Sequence, residues 1–324
     1  MQGLKIAIGG KGGVGKTTVC AVWAQLFAQD GFDVLAIDAD PNANLALAFG
    51  APTEQTPVPL IQMKELIAER TGTPKDAVGA YFRLNPKVSD LPEKYWVRLD
   101  VELTAENPRL RGDISPRLSA GVPRPVAGAK APAEAGAAEE KSKLKISASS
   151  ADSAVKIAGV KLLVLGAITR AGAGCACPEG AFLKALLTHT ILRRQELVLV
   201  DLAAGVESMG RASVQGIDAL VVVVEPGGRS IETANNVAKM ARDLGIKHVA
   251  AIANKITEAA QTDIIRAQLK DIPLLGSLSY SRLVQQADIE RKPVAKADAE
   301  FVQRLRQAKN TLVGLISPGL KNLR

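Results

Sequence analysis

Cysteine and long apolar runs are scarce in this sequence, and both scarcities limit where the protein works. The chain has three cysteines in 324 residues, and its N-terminus runs directly into the strand-like segment LKIAIGG without a signal peptide. This combination predicts a cytoplasmic location, where a close thiol pair indicates metal or redox chemistry rather than a structural disulfide. No apolar stretch approaches the roughly 20 residues that span a bilayer, so we expect no stable membrane association.

Clustered positive charge is missing as well. The chain has 41 Lys+Arg against 33 Asp+Glu, a net charge of +8, yet no run of five or more basic residues. Because dispersed charge of this kind is not typical of nucleic-acid binding, we expect no specific nucleic-acid partner.

Short β-branched apolar runs alternate with longer segments of helical periodicity along most of the chain. The runs are apolar on both faces, as in a parallel sheet that helices cover on either side. The predicted fold is therefore α/β, a doubly wound and mostly parallel sheet in a single domain over residues 1–324. The predicted strands are residues 4–10, 33–38, 160–168, 197–202, 219–226, 248–254 and 274–280.

Residues 98–158 interrupt this alternation. The segment is rich in Pro, Ala, Gly, Lys and Ser, as in GVPRPVAGAKAPAEAGAAEEKSKLK. Such a composition buries little apolar surface, and strands resume directly after it. We interpret it as a flexible insertion within the domain, to which the sequence assigns no chemistry.

The segment GGKGGVGKTT, residues 9–18, follows a predicted strand and opens a predicted helix. It fits the phosphate-loop pattern, in which glycines let backbone N–H groups wrap the phosphates of a nucleotide. Lys16 is expected to reach the β- and γ-phosphate oxygens, and the Thr17 hydroxyl to ligate Mg²⁺. The predicted nucleotide contacts of the loop are Gly10, Lys11, Gly12, Gly13, Val14, Gly15, Lys16, Thr17 and Thr18.

A second lysine near the start of the loop makes the motif more specific. With Lys11, the loop resembles the deviant phosphate loop of the family that includes cell-division and chromosome-partition ATPases, the arsenite pump ATPase and nitrogenase iron protein. The resemblance implies that Lys11 reaches the nucleotide of the opposite subunit. It therefore implies a homodimer with ATP sandwiched between the subunits.

Acidic residues follow two of the predicted strands. Asp38 and Asp40 end the run VLAIDAD, at the strand end where ligands of open α/β sheets bind. The resemblance implies that Asp40 positions the attacking water and that Asp38 supports the metal, although an Asp-Pro turn capping the next helix remains an alternative for one of them. In LVLVDLAAG, Asp201 resembles the Mg²⁺-sensing aspartate and Gly205 a switch glycine that senses the γ-phosphate.

The predicted strand that ends at Asn254 bears on the choice of base. Guanine-specific GTPases carry N-K-x-D, whereas this chain has Asn254-Lys255-Ile256-Thr257 and lacks the aspartate. Asn254 can still bond an adenine edge, so ATP and ADP are the expected nucleotides. The missing aspartate and the presence of only two histidines argue against the GTPase class of nickel chaperones.

Two of the three thiols lie in AGAGCACPEG, as Cys175 and Cys177. In an extended loop, residues i and i+2 project to the same side, so both thiolates can bind one soft metal. Tetrahedral coordination needs two more donors, and the remaining Cys20 lies in the phosphate-loop helix as a small core residue. A homodimer would supply four sulfurs at its two-fold axis. Thiolate chemistry alone would favour Zn²⁺ or an iron–sulfur cluster.

A closer resemblance rests on several motifs together, GKGGVGKTT, DADPNANLALAFG, LNPKVSDLPEKY, GAGCACPE and VVEPGGRSIETA. They are similar to those of the carbon monoxide dehydrogenase and acetyl-CoA synthase nickel-maturation ATPases. The resemblance implies that Cys175 and Cys177 bind Ni²⁺ between subunits, with Zn²⁺ as a substitute, and that ATP turnover is coupled to nickel delivery. The implied client is apo carbon monoxide dehydrogenase or acetyl-CoA synthase. The choice stays open because this chain has Ala203 where an acidic residue is expected, and because the insertion 98–158 is unusual for the dehydrogenase-directed members.

Two other classes remain as alternatives. One is a spatial regulator of the cell-division or partition type, since the C-terminal segment EFVQRLRQAKNTLVGLI carries an apolar stripe beside basic residues, as a membrane-surface helix does. A final helix packed on the domain explains the same stripe. The other is an electron-transfer ATPase with a [4Fe–4S] cluster bridging the dimer. The C-x-C spacing does not match that class, whose two cysteines are well separated.

Overall fold

The computed structural model describes residues 3–40, 42–52, 56–72, 83, 86–99, 159–166, 181–182, 185–186, 196–203 and 217–316. All of them belong to one compact unit. Its strands are β1 (Leu4–Gly10), β2 (Asp33–Ala39), β3 (Val97–Leu99), β4 (Val160–Val164), β5 (Glu196–Leu202), β6 (Ala219–Val224), β7 (His248–Ile256) and β8 (Leu274–Ser279). Its α-helices are α1 (Lys16–Gln29), α2 (Leu45–Ala48), α3 (Lys64–Thr71), α4 (Leu91–Tyr95), α5 (Gly228–Asp243), α6 (Ala259–Gln268), α7 (Arg282–Ile289) and α8 (Ala299–Ile316). Short 3₁₀ turns cover Leu60–Gln62 and Val294–Lys296.

The described strands form one sheet in the order β3-β4-β2-β5-β1-β6-β7-β8. All neighbours are parallel except β3, which runs antiparallel to β4 at the edge. Parallel strands place their carboxyl ends at the same edge of a sheet, so residues that follow β1, β2, β5, β6 and β7 converge there. The doubly wound, mostly parallel fold predicted from the sequence is confirmed.

The apolar strands contribute to two separate cores because successive side chains point to opposite faces of the sheet. Ile6 and Ile8 of β1 belong to a cluster that includes the buried residues of α1 and α8, and Ala7 belongs to a second cluster with those of α5. Trp23 in α1 is fully buried, and its indole Nε1 donates to the carbonyl of Leu305 in α8 at 3.0 Å. Helices therefore cover both faces of the sheet.

The structure corrects the predicted strands at two points. The predicted strand 160–168 ends at Val164, and Gly166 leaves it with a left-handed φ of 73°, where a Cβ would lie 2.7 Å from Cγ2 of Ile61. The edge strand β3 was not predicted, because it is three residues long and begins the segment whose composition suggested an insertion. Two residues assigned to that insertion, 98 and 99, thus belong to the sheet. Residues 100–158 lie outside the described residues.

The C-terminal helix α8 packs on the domain. Phe301, Leu305, Ala308 and Leu312, the apolar stripe noted in the sequence, are all buried in the first core cluster. Lys309 is also buried, pairs with Asp30 and lies 4.9 Å from the ring centroid of Phe27. The stripe therefore packs against the domain. None of the described helices is long and apolar enough to cross a membrane.

Candidate nucleotide site

The phosphate loop connects the buried end of β1 to α1, as its sequence predicts. Gly10 has φ 139°, and a Cβ on it would lie 2.5 Å from the carbonyl oxygen of Val223 in β6. Gly15, just before α1, has φ 97°, and a Cβ there would lie 2.4 Å from Nδ2 of Asn254. Glycine is thus required at both positions by backbone conformation and by the close approach of neighbouring groups.

The N-terminus of α1 is suited to an anion. Its first turn holds no acidic residue, and no side chain in the described part of the chain caps it. Helix N-termini attract anions because their backbone N–H groups lack intrahelical partners and carry the positive end of the helix dipole. The predicted contacts 12–18 form this loop and first turn, so the local geometry fits bound phosphates.

Lys16 and Thr17 lie at the start of α1 and make contacts within the protein. Lys16 is a buried residue, and its ammonium donates to the carbonyl oxygen of Lys11 at 3.2 Å. The Thr17 hydroxyl donates to Oδ2 of Asp201 at 2.6 Å. The loop lysine, the hydroxyl and the predicted Mg²⁺-sensing aspartate therefore lie together, as the sequence motif led us to expect.

Asp201 is a buried carboxylate at the carboxyl end of β5. It is 1% exposed, and Oδ1 has no hydrogen-bond partner among the described residues. Burial raises its pKa to about 7, and the hydrogen bond from Thr17 only partly opposes this change. A buried acceptor without a partner costs free energy, and a cation that binds the carboxylate would recover it. Asp201 beside Thr17 therefore fits an Mg²⁺ site.

Asp38 lies directly beside Asp201, because the two residues are register partners on β2 and β5. Its Oδ1 accepts from the backbone N–H of Asp40 at 3.0 Å, and its Oδ2 accepts from that of Leu45 at 2.8 Å. Burial raises the pKa of Asp38 to about 6 despite these hydrogen bonds. Because Leu45 begins α2, Asp38 orders the turn that leads into that helix, which was the alternative considered for one of the two aspartates. Its support of the metal stays a prediction.

Asp40 is half-buried, and its Oδ1 accepts from the backbone N–H of Asn42 at 2.9 Å. This contact holds the carboxylate just after the carboxyl end of β2, at the same edge of the sheet as the phosphate loop. Its role in positioning water stays a prediction.

Asn254, near the end of β7, was predicted to contact the adenine edge. Its side chain is 5% exposed, and Nδ2 donates to the carbonyl oxygen of Val14 in the phosphate loop at 2.8 Å. Asn254 therefore holds the phosphate loop through this hydrogen bond, and its contact with a base stays a prediction.

Two residues of this edge were not singled out from the sequence. Glu225 follows β6, and its carboxylate lies 3.5 Å from the Lys11 ammonium and 3.4 Å from that of Lys255. Lys255 also donates to the carbonyl oxygen of Gly13 at 2.6 Å. Both residues lie at the ends of predicted strands, and this position was the only indication in the sequence that they could belong to the site. The contacts of Glu225 with Lys11 and Lys255 depend on the strand order β1-β6-β7.

The predicted metal ligands Cys175 and Cys177, and the predicted switch residue Gly205, lie outside the described residues. Within the described part of the chain, no group of three or more His, Cys, Asp or Glu side chains forms a candidate metal centre. Cys20 is described, and it is fully buried in α1, as predicted for a core residue.

Comparison with known proteins identifies the family. A family model described as the CobQ/CobB/MinD/ParA nucleotide binding domain matches residues 5–294. The chain belongs to this family. The predicted ATPase class is thereby confirmed, and ATP binding through a phosphate loop with it.

Two relatives match most of the chain. The carbon monoxide dehydrogenase accessory protein CooC of Rhodospirillum rubrum is 36% identical over 287 residues, which are 88% of this chain and 87% of that protein. An uncharacterised ATP-binding protein of Methanocaldococcus jannaschii is 32% identical over 96% of this chain and 98% of its own length. The resemblance to the carbon monoxide dehydrogenase maturation ATPases is confirmed at the level of the family.

Solved structures agree on the fold. The MinD cell division protein of Aquifex aeolicus has a TM-score of 0.56 at 18% identity and covers 96% of this chain and 98% of its own. The septum site-determining protein MinD of Pyrococcus horikoshii, complexed with Mg-ADP, has a TM-score of 0.56 at 15% identity and covers 97% and 98%. At these identities the likeness establishes the architecture and leaves the biological role to other observations.

Proposed function

We propose that this protein is an ATP-dependent nickel metallochaperone that works as a homodimer. The observation that carries the proposal is the 36% identity to the accessory protein CooC over most of both chains, in a sequence that also holds the Cys175-Ala-Cys177 pair. The name of that relative points to carbon monoxide dehydrogenase as the client class. Acetyl-CoA synthase remains a second candidate client, because Ala203 departs from the expected acidic residue.

The nucleotide site supports the ATPase part of the proposal. Mg²⁺ bound beside Thr17 and Asp201 would neutralise charge on the phosphate oxygens. Lys16 would exchange its hydrogen bond to the Lys11 carbonyl for phosphate oxygens, and the N–H groups of the first turn of α1 would bind the same anion. Asp40 would orient the attacking water.

Nickel is the cargo in this scheme. ATP bound between two subunits would bring the Cys-x-Cys segments together, so that each protomer contributes two thiolates to one ion. Hydrolysis would loosen the dimer and lower the number of thiolates held around the metal. Release to the client would then be faster than from a permanent four-thiolate site.

The experiment is an anaerobic titration of the metal-free protein with Ni²⁺, with and without Mg-ATP. We expect about one ion per dimer, a change in affinity on adding ATP, and loss of binding in the Cys175→Ala/Cys177→Ala variant. Cys20→Ala is the matched control, because it removes a buried thiol of α1 and should leave the stoichiometry unchanged. Nickel binding that survives the double substitution would contradict the proposed ligands. Zn²⁺ in place of Ni²⁺ measures how selective the site is.

The same preparation separates the two alternatives. Iron and acid-labile sulfide in the purified protein would support an electron-transfer ATPase. ATP-dependent sedimentation with liposomes would support a spatial regulator, although the apolar stripe that suggested a membrane helix is buried in α8. Neither alternative has a specific observation among the described residues, so the metallochaperone is the function that we propose.

A further inference from the structure

Glu225 joins two lysines at the mouth of the phosphate loop. Its Oε1 lies 3.5 Å from Nζ of Lys11, and its Oε2 lies 3.4 Å from Nζ of Lys255. The carboxylate is 24% exposed, whereas the two lysine side chains are 43% and 41% exposed. A single carboxylate therefore contacts both ammonium groups, and its one negative charge can neutralise only one of them.

The backbone holds Glu225 in place. Its N–H donates to Oγ of Ser230 at 3.1 Å, and Ser230 is itself buried in the first turn of α5. The side chain thus extends from a position fixed between the end of β6 and the start of α5. The carboxylate can stay where it is while its partners change.

The two lysines are held to different extents. Lys255 has a second contact at 2.6 Å to the carbonyl oxygen of Gly13 and a left-handed φ of 59°, which is uncommon for a residue other than glycine. Lys11 meets Glu225 through an exposed ion pair at 3.5 Å, a kind of contact that water and salt weaken. Lys11 is therefore the lysine that can leave Glu225 more readily.

We propose that Glu225 is a positioning residue that competes with nucleotide phosphate for Lys11. Before ATP binds, the Glu225 carboxylate holds the Lys11 ammonium. When ATP binds, phosphate oxygens replace the carboxylate as the partner of Lys11. Lys255 stays in place and balances the charge of Glu225 after Lys11 has moved. This inference rests on the proposed homodimer for one step only, the predicted contact of Lys11 with a phosphate of the nucleotide in the opposite subunit.

The competition has a measurable consequence. An ammonium held by Glu225 is not free to bind phosphate. The apparent nucleotide affinity therefore falls as the fraction of protomers with the ion pair formed rises. Removing the charge of Glu225 should strengthen ATP binding. For an exposed ion pair of ordinary strength, the expected change in dissociation constant is about two- to five-fold.

The test is a cycle of variants of the full-length protein, with Mg-ATP affinity measured by titration calorimetry and the oligomeric state by sedimentation velocity. Glu225→Gln should bind ATP about two- to five-fold more tightly than the wild type and dimerise at lower ATP. Glu232→Gln, which removes the same charge from an exposed position of α5, should match the wild type. In the Lys11→Ala background, Glu225→Gln should have no further effect.

Each outcome bears on one statement. If Glu225→Gln binds ATP like the wild type while Lys11→Ala binds more weakly, the competition is wrong and the proposed ATP site stands. If the effect of Glu225→Gln persists in Lys11→Ala, it does not act through Lys11, and the inference is again wrong. Absence of ATP binding by the wild type would overturn the proposed function as well. Thermal unfolding of every variant shows whether a loss of binding reflects a loss of fold.

Discussion

Asp201 shows how a single buried group links folding to nucleotide binding. Its carboxylate is buried beside Asp38, and it uses one oxygen for the Thr17 hydroxyl while the other has no partner in the described part of the chain. Burial raises the pKa of both aspartates, to about 7 and about 6 respectively. Burial thus disfavours the ionised form of both carboxylates, and bound Mg²⁺ would favour that form.

A pH dependence of stability follows from these two shifts. Because the folded pKa lies above the unfolded value, the native state binds more protons, and the free energy of unfolding decreases as pH rises from about 4 to about 7. Denaturant unfolding of the protein across this range measures the decrease, which should amount to several kcal/mol, since each pKa unit corresponds to about 1.4 kcal/mol. Asp201→Asn, which keeps an acceptor for Thr17, should flatten much of the profile, whereas Asp263→Asn at an exposed position of α6 should not. A profile that Asp201→Asn leaves unchanged would contradict the assignment.

Two glycines of the phosphate loop separate steric contact from backbone conformation. The Cβ of an alanine at position 10 would lie 2.5 Å from the Val223 carbonyl oxygen, whereas at Gly13, with φ 80°, no atom of the described residues would lie within 4 Å of a Cβ. We expect Gly10→Ala to lower the free energy of unfolding by about 3 kcal/mol or more, and Gly13→Ala by about 1 kcal/mol. Urea unfolding of the two variants measures the difference, and equal losses would show that φ alone decides.

At the scale of elements, the C-terminal helix gives a direct test of how its apolar stripe is used. Leu305 of α8 is fully buried, and Leu315 on the same helix is 43% exposed. Leu305→Ala should cost about 2–5 kcal/mol, because it leaves a cavity between α8 and the domain. Leu315→Ala should change stability by less than about 0.5 kcal/mol. Denaturant midpoints of both variants check this, and a small effect at Leu305 would mean that α8 packs weakly.

The sequence predicted the secondary-structure elements better than it predicted which elements and side chains contact one another. Seven strands were found because each is apolar on both faces, and the phosphate loop was found because its chemistry lies in ten consecutive residues. The three-residue strand β3 has no such pattern. The contacts of Asp38 with Asp201 and of Glu225 with Lys11 depend on strand order, and residues more than one hundred and sixty positions apart give no local signal of their meeting. What remained unpredicted was therefore long-range pairing.

At the scale of the whole molecule, the edge strands β3 and β4 show how residues 100–159 can be removed to test whether the domain needs them. Leu99 on β3 and Val160 on β4 are direct antiparallel partners. Opposite residues of such a pair can be joined by a two-residue hairpin turn, for which Asn-Gly is the favoured sequence. The structure therefore offers a connection that leaves both strands in register and bypasses residues 100–159.

We propose that residues 100–159 are an insertion that the ATPase domain does not need, and predict that replacing them with Asn-Gly preserves the domain. The shortened protein should unfold cooperatively, with a midpoint within a few degrees of the wild type, because every strand and helix described here keeps its packing. It should also bind Mg-ATP with unchanged affinity, which calorimetry measures beside the full chain. Extending the deletion to residues 97–159 removes β3, exposes the edge of β4 and should lower the midpoint further. Loss of cooperative unfolding in the first variant would show that the segment belongs to the fold, whereas intact ATP binding with altered nickel transfer would place its role at the client.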